Sequence, residues 1–454
     1  MEFVTKGIKS AGVLDYVAGW YIKAGHYLTG SKIGSISRDR HQFSDAEFSN
    51  LAVKTGIEDM FASADKLETN QRRQVKCAFV STNSITQGEQ VGVLWSYLLA
   101  QGMHIQFAHR TFQWSNEAPG KAAVHCVIIG FGYDDAKQKH LFEYADIKGH
   151  PHEITAQNIN PYLVDAPDTV LPNRRDPLCN VSPIVFGSMP NDGGNLLLSD
   201  VEKDELIKLE PAAKDWIKPF VGAEEFINKL SRWCLWLVDC PPSQLKAMPH
   251  VLKRVEAVRL ARAASNRKTT QDLAATPTLF GEIRQPASAY LLIPRVSSER
   301  RPFIPVGFLE PAQIASDATL VVPNATLYHF GILTSTMHNA WMRQVCGRLE
   351  SRYRYSNTIV YNNFPWPTLT TNNHAVIEAA AQGVLDARAL FPNESLATLY
   401  DPDTMPTALV KAHAALDKAI DAAYVADGGA KSYASDAERV AFLIKRYQQL
   451  TSLI

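Results

Sequence analysis

The first third of the chain alternates apolar β-type runs with helical patterns. Residues 13–28 carry apolar side chains at the spacing of one helical face, which predicts an amphipathic helix packed against other elements. A second helix is predicted at 88–99, and apolar strands are predicted at 75–80, 104–109 and 123–131. This order is typical of the end of an open α/β sheet. Three strands alone would leave an unpaired edge and an uncovered apolar face, so we expect something to pair with them.

The rest of the chain changes character twice. Residues 150–250 are rich in proline, asparagine, aspartate and glycine, with a strong turn signal at 189–194. Short β-type runs broken by prolines predict a compact β module at 284–330. Alanine-rich helices are predicted at about 374–390, 406–425 and 436–450, the last with a capping box of Ser435 and Glu438. The chain is therefore expected to be a multidomain protein of α/β and α+β class.

Length and composition narrow the class of protein. The 454 residues suffice for about three domains, and 46% hydrophobic with 20% charged residues is typical of a globular chain with a large core. No apolar run approaches the ~18 residues of a membrane span, and the N-terminus lacks the apolar core of a signal peptide. The six cysteines are scattered, and the thirteen histidines show no metal-binding spacing. We therefore expect a cytoplasmic protein with reduced thiols and no bound metal.

The charges of the whole chain cancel, but one segment carries a basic excess. The 46 basic and 46 acidic side chains cancel, whereas a nucleic-acid binder often carries a basic excess. Between Arg284 and Arg354, however, eight Lys/Arg residues accompany four Asp/Glu, a local excess of four positive charges. An ordinary charged surface explains this excess equally well.

Three short motifs favour structural over chemical roles. Gly130-Phe131-Gly132 follows a strand, but neither a third glycine nor a helix N-terminus comes after it, as a nucleotide-binding turn requires. Asp239-Cys240-Pro241-Pro242 is similar to the Asp/Asn-Pro-Pro-aromatic turn of amino-methyltransferases, with cysteine at the first proline position and Ser243 at the last. Residues 362–367 (NNFPWP) have the right residue types in the wrong order, which favours a packed connector.

The predicted helix at 251–264 is basic but not segregated by charge. At 100° per residue Arg259 and Arg262 fall on the same stripe as the helix's valines. Partial burial of these arginines, with their charged ends reaching out, is at least as consistent with this pattern as phosphate contact.

Longer segments resemble the MmeI-like (YeeA-like) class of DNA adenine methyltransferases, and they occur in that family's order. They are 79–91, 107–114, 186–194, 232–237, 292–301, 323–331 and the run to Trp366. Together they span nearly the whole chain except 30–74. The resemblance implies an N6-adenine methyltransferase that uses S-adenosylmethionine within a restriction–modification or phage-defence system. Double-stranded DNA is the implied partner.

The same resemblance implies a domain organisation. Residues 1–150 look like the last three strands of a Rossmann-like methyltransferase sheet, with an insertion at 30–74. Residues 151–367 look like a β-rich target-recognition domain, and 368–454 like the family's C-terminal α-helical domain. The insertion is a departure from the family, which usually passes almost directly from helix to strand, and no role is assigned to it.

A second departure concerns catalysis. In the family, an Asn-Pro-Pro-Phe/Tyr motif precedes the helix matching 13–28, and a glycine-rich cofactor loop lies earlier; neither occurs in this sequence. The asparagine and a proline carbonyl orient the adenine amino group, while the aromatic ring stacks on the flipped base. No catalytic residue is therefore assigned. The chain alone is expected to be inactive and to need an N-terminal methyltransferase segment, either separate or from an intact parent gene.

Candidate DNA contacts follow from the resemblance and from general rules of base reading. Base contacts are expected from four arginines near strand ends, because arginine donates bidentately to guanine: Arg284, Arg295, Arg300 and Arg301. Phosphate contacts, which position without specifying, are expected from Arg343, Arg348, Arg352 and Arg354. Asn83 and Phe112, at the ends of sheet strands, are candidates for lining the target-base pocket.

Three functions stay open at this point. The first is a methyltransferase component that is active once joined by the missing half. The second is a non-catalytic, sequence-specific DNA-binding module. An unrelated enzyme built around the turn at 130–134 is the third and is strongly disfavoured.

Overall fold

The computed structural model describes residues 4–5, 7–29, 75–114 and 124–452, so the insertion expected at 30–74 lies outside the described residues. The chain divides into two compact units. Unit 1 comprises residues 1–173, 344–348 and 440–454, and unit 2 comprises residues 174–343 and 349–439.

Unit 1 is an α/β unit built on a five-stranded sheet. Its strands are β1 Cys77–Thr82, β2 His104–Trp114, β3 Val124–Gly132, β4 Lys139–Glu143 and β5 His152–Ala156. The order is β1-β3-β2-β4-β5, with β3 antiparallel to both neighbours and β4 parallel to β2. Among its described residues up to 173, the helices are α1 Ala18–Thr29, which follows a 3-10 turn at Ala11–Val13, and α2 Gly88–Ala100.

A cluster of aromatic rings fixes the helices of unit 1 on its sheet. Tyr21 of α1 stacks on Phe131 of β3, with ring centres 5.3 Å apart, and meets Trp95 of α2 edge-on at 6.0 Å. The Tyr21 hydroxyl shares a hydrogen bond of 3.0 Å with Ser81 of β1. A buried phenol retains a partner in this way while its ring contributes apolar area. The amphipathic pattern therefore reports a real core face from Ala18 onward. The predicted start of the helix is wrong, because Val13 lies in the preceding 3-10 turn and is exposed.

The three expected strands of unit 1 are present, and β4 and β5, which were not predicted, extend the sheet to five strands on the β2 side. β5 also lies beyond residue 150, the expected end of this domain. Both added strands are short and polar, and much of β5 is exposed, so no apolar run marked them in the sequence. The Gly130-Phe131-Gly132 motif lies inside β3, where the Phe107 ring occupies the space that a side chain at position 130 would need.

Unit 2 combines small β-sheets with helices. The strands are β6 Val185–Phe186, β7 Leu197–Leu198, β8 Ile217–Val221, β9 Trp233–Leu235, β10 Tyr290–Pro294, β11 Val296–Ser297, β12 Gly307–Leu309, β13 Ile314–Ala315 and β14 Thr319–Pro323. One sheet has the order β12-β10-β14-β6 and another β13-β8-β9-β7. Two short strands, β15 Gly347–Leu349 and β16 Arg352–Arg354, follow, and β11 pairs antiparallel with β16.

Most helices of the described chain lie after residue 199. They are α3 Asp200–Leu209, α4 Ala223–Asn228, α5 Pro242–Lys246, α6 Pro249–Ala263, α7 Lys268–Asp272, α8 Leu327–Thr334, α9 Thr336–Val345, α10 Thr371–Ala389, α11 Leu396–Leu399, α12 Thr407–Tyr424 and α13 Asp436–Ser452. The three helices expected after Pro367 are confirmed as α10, α12 and α13.

The end of the expected β module is wrong by a few residues, because α8 begins at Leu327, within the range 284–330. At the start of α13 the Ser435 hydroxyl accepts from the Glu438 N–H at 3.3 Å, as a capping box requires. The Glu438 carboxylate, however, accepts from the Ala434 N–H at 2.9 Å. Asp239, at the start of the turn 239–242, adopts a left-handed φ of 61°.

Arg262 on α6 is a buried hub of hydrogen bonds. The side chain is 1% exposed, and its guanidinium donates to the carbonyl oxygens of Pro190, Asn191, Leu273, Thr276 and Leu279 at 2.7–3.0 Å. Five N–H donors thus meet five acceptors, so neither the charge nor the loop carbonyls are left unsatisfied. Arg262 is therefore buried completely, and not only in part with its charged end reaching out as expected, whereas Arg259 is exposed and paired with Glu256.

We expect the substitution Arg262→Met to lower the free energy of unfolding by at least about 3 kcal/mol, because five buried carbonyls lose their donor at once. Urea unfolding followed by tryptophan fluorescence measures this. Arg259→Met, on the same helix, is the matched control and should leave the midpoint unchanged. Equal midpoints for both variants would contradict the hub role.

Two buried histidines should make the protein sensitive to acid. Burial lowers the pKa values of His338 and His413 from 6.5 to about 3, so both rings stay neutral in the folded state. The unfolded chain takes up their protons below about pH 6.5, so stability is lost as pH falls from there towards 3. We expect roughly 2 kcal/mol per histidine between pH 7 and 5.

Urea unfolding at several pH values tests this pH dependence. His338→Gln should make stability fall less steeply with decreasing pH, while His250→Gln, at an exposed position, should retain the wild-type slope. An unchanged slope in His338→Gln would rule out the assigned cause.

Candidate nucleic-acid interface

A cavity of about 590 Å³ in unit 2 gathers charged side chains from four different segments. We call it the arginine cavity. Its charged lining residues are Glu224, Glu225, Arg232, Arg295 and Arg354, and Val296 and Ala318 contribute apolar surface. The pairing of β11 with β16 sets Val296 opposite Arg354, which explains why residues far apart in sequence line one space.

Two of these charges neutralise each other. Arg232 contacts the Glu225 carboxylate through Nε at 2.9 Å and Nη2 at 3.2 Å. The same carboxylate accepts from the Gly222 N–H at 2.8 Å, at the start of α4. Arg232 also lies over the Phe220 ring, 4.8 Å from its centre. This pair therefore forms a fixed, neutral wall of the cavity.

Arg295 is held firmly but keeps its charge. Its guanidinium donates to the Asp317 carbonyl oxygen at 3.1 Å and lies 4.7 Å from the centre of the Phe186 ring. Burial, and then the neighbouring positive charge of Arg354, lower the pKa of Arg295, while Asp317 opposes them. Within the described part of the chain, neither Arg295 nor Arg354 forms an ion pair with a carboxylate. Two like charges thus face one cavity, which favours a ligand that accepts hydrogen bonds.

The exposed Glu224 gives the cavity an acceptor as well as donors. A carboxylate repels a phosphate, but it can accept from an amino group on the ligand. In the major groove a G·C pair presents two acceptors on guanine beside an amino donor on cytosine. The arginine donors and the glutamate acceptor of the arginine cavity are complementary to such a base-pair edge.

Arg352 is the first residue of β16, directly after the turn from β15, and its guanidinium is 2.8 Å from the Glu350 carboxylate. Both side chains are exposed, and Glu350 adopts a left-handed φ of 58° at the turn. Because the carboxylate already neutralises it, Arg352 is a poorer phosphate ligand than a free arginine. The pair offers one donor and one acceptor side by side.

Other expected DNA contacts have partners within unit 2. Arg284 donates to the Gly187 carbonyl at 2.9 Å and pairs with Glu282. Arg300 pairs with Asp403 at 2.5 Å, and burial lowers the pKa of Arg301. Phosphate or base contact by Arg284 or Arg300 would require its ion pair to open.

Arg343 and Arg348 lie in different units. Arg343, near the end of α9, pairs with Asp436 at 2.6 Å and donates to the Pro302 carbonyl at 2.9 Å. Arg348, on β15, is half-buried and belongs to unit 1. The structure therefore brings together only Arg295 and Arg354 of the eight arginines in one cavity.

The two pocket candidates of unit 1 lie at the same end of its sheet. Thr82 and Phe112 both oppose Cys126 of β3 from its two sides, and Asn83 follows Thr82 directly. The Asn83 amide donates to the Thr111 hydroxyl at 3.3 Å. A register shift between His109 and Phe112 interrupts the ladder here, and such bulges re-aim side chains.

Phe112 belongs to a half-buried aromatic group on β2, β4 and the residue after β4, in which Trp114 is exposed. It stacks on Tyr144, with ring centres 5.3 Å apart, and lies 6.2 Å from Trp114. The His109 ring stacks on Phe142 at 4.2 Å. The sequence pattern pointed to Phe112 but not to its ring partners, because Tyr144 follows the short strand β4 and Trp114 lies beyond the predicted end of β2.

Several residues of the arginine cavity were also missed. Phe186 and Arg232 occur in the family-like segments, so a signal existed, although nothing indicated their role. Glu224 carries no sequence signal, since an exposed glutamate early in a short helix is common. In the described ranges, no three His, Cys, Asp or Glu side chains are grouped as metal ligands. None of the helices described there is long and apolar enough to cross a bilayer.

Comparison with known proteins gives consistent matches. The MmeI DNA-methyltransferase domain matches residues 34–143, the MmeI target recognition domain residues 165–368 and the MmeI C-terminal domain residues 370–454. The chain is 40% identical to DNA methyltransferase A of Bacillus subtilis (strain 168) over 377 residues, 83% of this chain and 42% of that protein.

A solved structure extends the match to the fold. The Type IIL restriction-modification enzyme MmeI, in complex with DNA, is 46% identical to this chain with a TM-score of 0.83, and the match covers 99% of this chain and 54% of that one. The chain thus spans about half the length of these relatives. With three consecutive domain matches and a shared fold, the chain belongs to the MmeI family of DNA methyltransferases.

Proposed function

We propose that this chain is the part of a site-specific DNA adenine-N6 methyltransferase that recognises the DNA sequence. The enzyme would belong to a restriction–modification or phage-defence system. The arginine cavity carries the proposal. Its lining combines two arginines that have no ion pair with the carboxylate of Glu224, and these donors and this acceptor are complementary to the edge of a base pair. The related MmeI was solved bound to DNA, which supports a duplex as the partner.

Arg295 and Arg354 are the proposed base readers of the arginine cavity. The rigid seat of Arg295 on Phe186 reduces the entropy lost when it contacts a base, and the fixed plane of its guanidinium favours bidentate contact. We propose that the Glu350–Arg352 pair reads a further base pair, with the carboxylate accepting and the guanidinium donating. Arg284, Arg300, Arg301, Arg343 and Arg348 are proposed as peripheral contacts that add affinity without setting sequence preference.

Asn83 and Phe112 are proposed to border the target-base pocket of unit 1. Their common position at one end of the sheet supports this role. A flipped base needs an aromatic surface for stacking, and Phe112 with its neighbours offers one.

Methyl transfer itself is proposed to need residues beyond those described. S-adenosylmethionine would supply the methyl group, as methyltransferases of this family generally require. The described residues do not fit this cofactor: the Gly-x-Gly candidate is part of strand β3, filled by the Phe107 ring, and no described glycine-rich turn offers a cradle. No chemical step is therefore assigned to residues of this chain.

We propose that an N-terminal methyltransferase segment adds to the sheet at β1. Within the described ranges β1 pairs with β3 alone, and alternate residues Ala78 and Val80 are exposed. An edge strand with free backbone groups and an exposed apolar side favours a further strand. A non-catalytic DNA-binding module is the second candidate, favoured by the same lack of a described cofactor cradle.

Base reading by the arginine cavity predicts a loss of discrimination on substitution. The preferred duplex is first selected with the wild-type chain from a random library. Arg295→Met and Arg354→Met should each reduce the preference for that duplex over single-base-pair variants by about 10- to 100-fold at one position. Arg300→Met, an exposed arginine outside the cavity, is the matched control and should lower affinity for all duplexes alike.

The comparison distinguishes base reading from phosphate contact. A uniform loss of affinity in Arg295→Met and Arg354→Met, with a smaller dependence on salt, would indicate phosphate contact and contradict the base-reading assignment.

Cofactor binding separates the two candidate functions. Titration calorimetry of the chain alone with S-adenosylmethionine should give no heat of binding, because the cofactor cradle is not among the described residues. Addition of a segment carrying a glycine-rich loop and an Asn-Pro-Pro-aromatic turn should produce binding and N6 methylation of duplex DNA. Micromolar binding by the chain alone would refute the first expectation, and no activity after addition would favour the binding module.

A further inference from the structure

Tyr355 connects the two arginines of the arginine cavity to a buried helix. It directly follows Arg354, and its N–H donates to the Arg295 carbonyl oxygen at 2.8 Å. Its hydroxyl shares a hydrogen bond of 2.8 Å with Nε2 of His338 on α9. Tyr355 therefore bonds to the main chain of Arg295, follows Arg354 directly, and bonds through its hydroxyl to the buried His338.

His338 is a rigid partner for this contact. The side chain is 1% exposed, and its ring meets Phe364 edge-on with centres 4.6 Å apart. Its backbone N–H donates to the Ser335 hydroxyl at 3.2 Å, near the start of α9. The next residue, Asn339, accepts from the Ile304 N–H at 2.9 Å and donates to the Ser335 carbonyl at 2.8 Å. These bonds fix the main chain at the start of α9, and the Phe364 ring packs against the imidazole.

We propose that His338 and Tyr355 are positioning residues that set the geometry of Arg295 and Arg354 for base reading. The inference rests on the proposed function and adds two residues that do not line the cavity themselves. Bidentate contact with a base edge requires the guanidinium to be placed within about 0.5 Å, and supporting hydrogen bonds provide such placement. The hydrogen bond between Tyr355 and His338 fixes the end of β16 to a helix that is tied to the core.

A second His–Tyr pair in unit 2 provides a matched control. Nε2 of His413 is 2.8 Å from the hydroxyl of Tyr400, and both residues are buried. The Tyr400 hydroxyl also accepts from Arg388, and neither residue of this pair lines the arginine cavity. The two pairs are chemically alike, so loss of either hydroxyl should cost stability, whereas only the loss at Tyr355 should alter base reading.

The experiment compares Tyr355→Phe with Tyr400→Phe in the full chain. The duplex selected by the wild type and its single-base-pair variants are the probes, and binding and melting temperature are both measured. Tyr355→Phe should lower discrimination about tenfold at the positions assigned to Arg295 and Arg354, with less than a twofold change elsewhere. Tyr400→Phe should lower the melting temperature but keep the wild-type discrimination.

A double-mutant cycle gives a readout that a merely structural role would not move. His338→Phe should reproduce the position-specific loss, and the double variant should lose no more than either single variant, because both act through one hydrogen bond. Wild-type discrimination in Tyr355→Phe, or the same loss at all positions in both tyrosine variants, would overturn the positioning role. Failure of the wild type to select any sequence would instead refute the proposed function, and this inference with it.

Discussion

The buried guanidinium of Arg262 is the interaction on which unit 2 depends most. Its five hydrogen bonds join the loop at 190–191 to the segment at 273–279, so parts of the chain some eighty residues apart are held by one side chain. Burial of a guanidinium costs desolvation free energy, and this cost is offset only when all the N–H groups form hydrogen bonds. Loop carbonyls, which have no partner in a sheet, gain theirs from the same residue.

The segment that Arg262 holds at 190–191 is connected to the arginine cavity through Phe186. Phe186 lies four residues before Pro190, pairs through β6 with β14, and supports the guanidinium of Arg295. Arg295 in turn is bonded through its main chain to Tyr355. The carbonyl contacts of Arg262 thus add to the apolar core of unit 2, which includes Phe220, Leu292 and Val321.

The elements with strong periodicity were predictable, and the contacts between distant segments were not. The helices at 371–389, 407–424 and 436–452 and the three apolar strands of unit 1 followed from the spacing of their apolar residues. The polar strands β4 and β5 lacked such a pattern. Arg295 and Arg354 were identified as DNA contacts, yet their shared cavity depends on the pairing of β11 with β16, which no local pattern encodes. The division into three domains and the individual contacts stay predictions.

The way in which β11 meets β16 bears on how this protein can change during evolution. The main chain joins the two strands, and the Tyr355 N–H donates to the Arg295 carbonyl oxygen, so these bonds do not depend on the side chains at 295 and 354. Substitution of the exposed Arg354 should therefore cost little in folding, whereas substitution of Arg295 also removes its contacts with Phe186 and the Asp317 carbonyl. Under the proposed base-reading role, a single change at 354 would alter the preferred DNA sequence while the fold is retained.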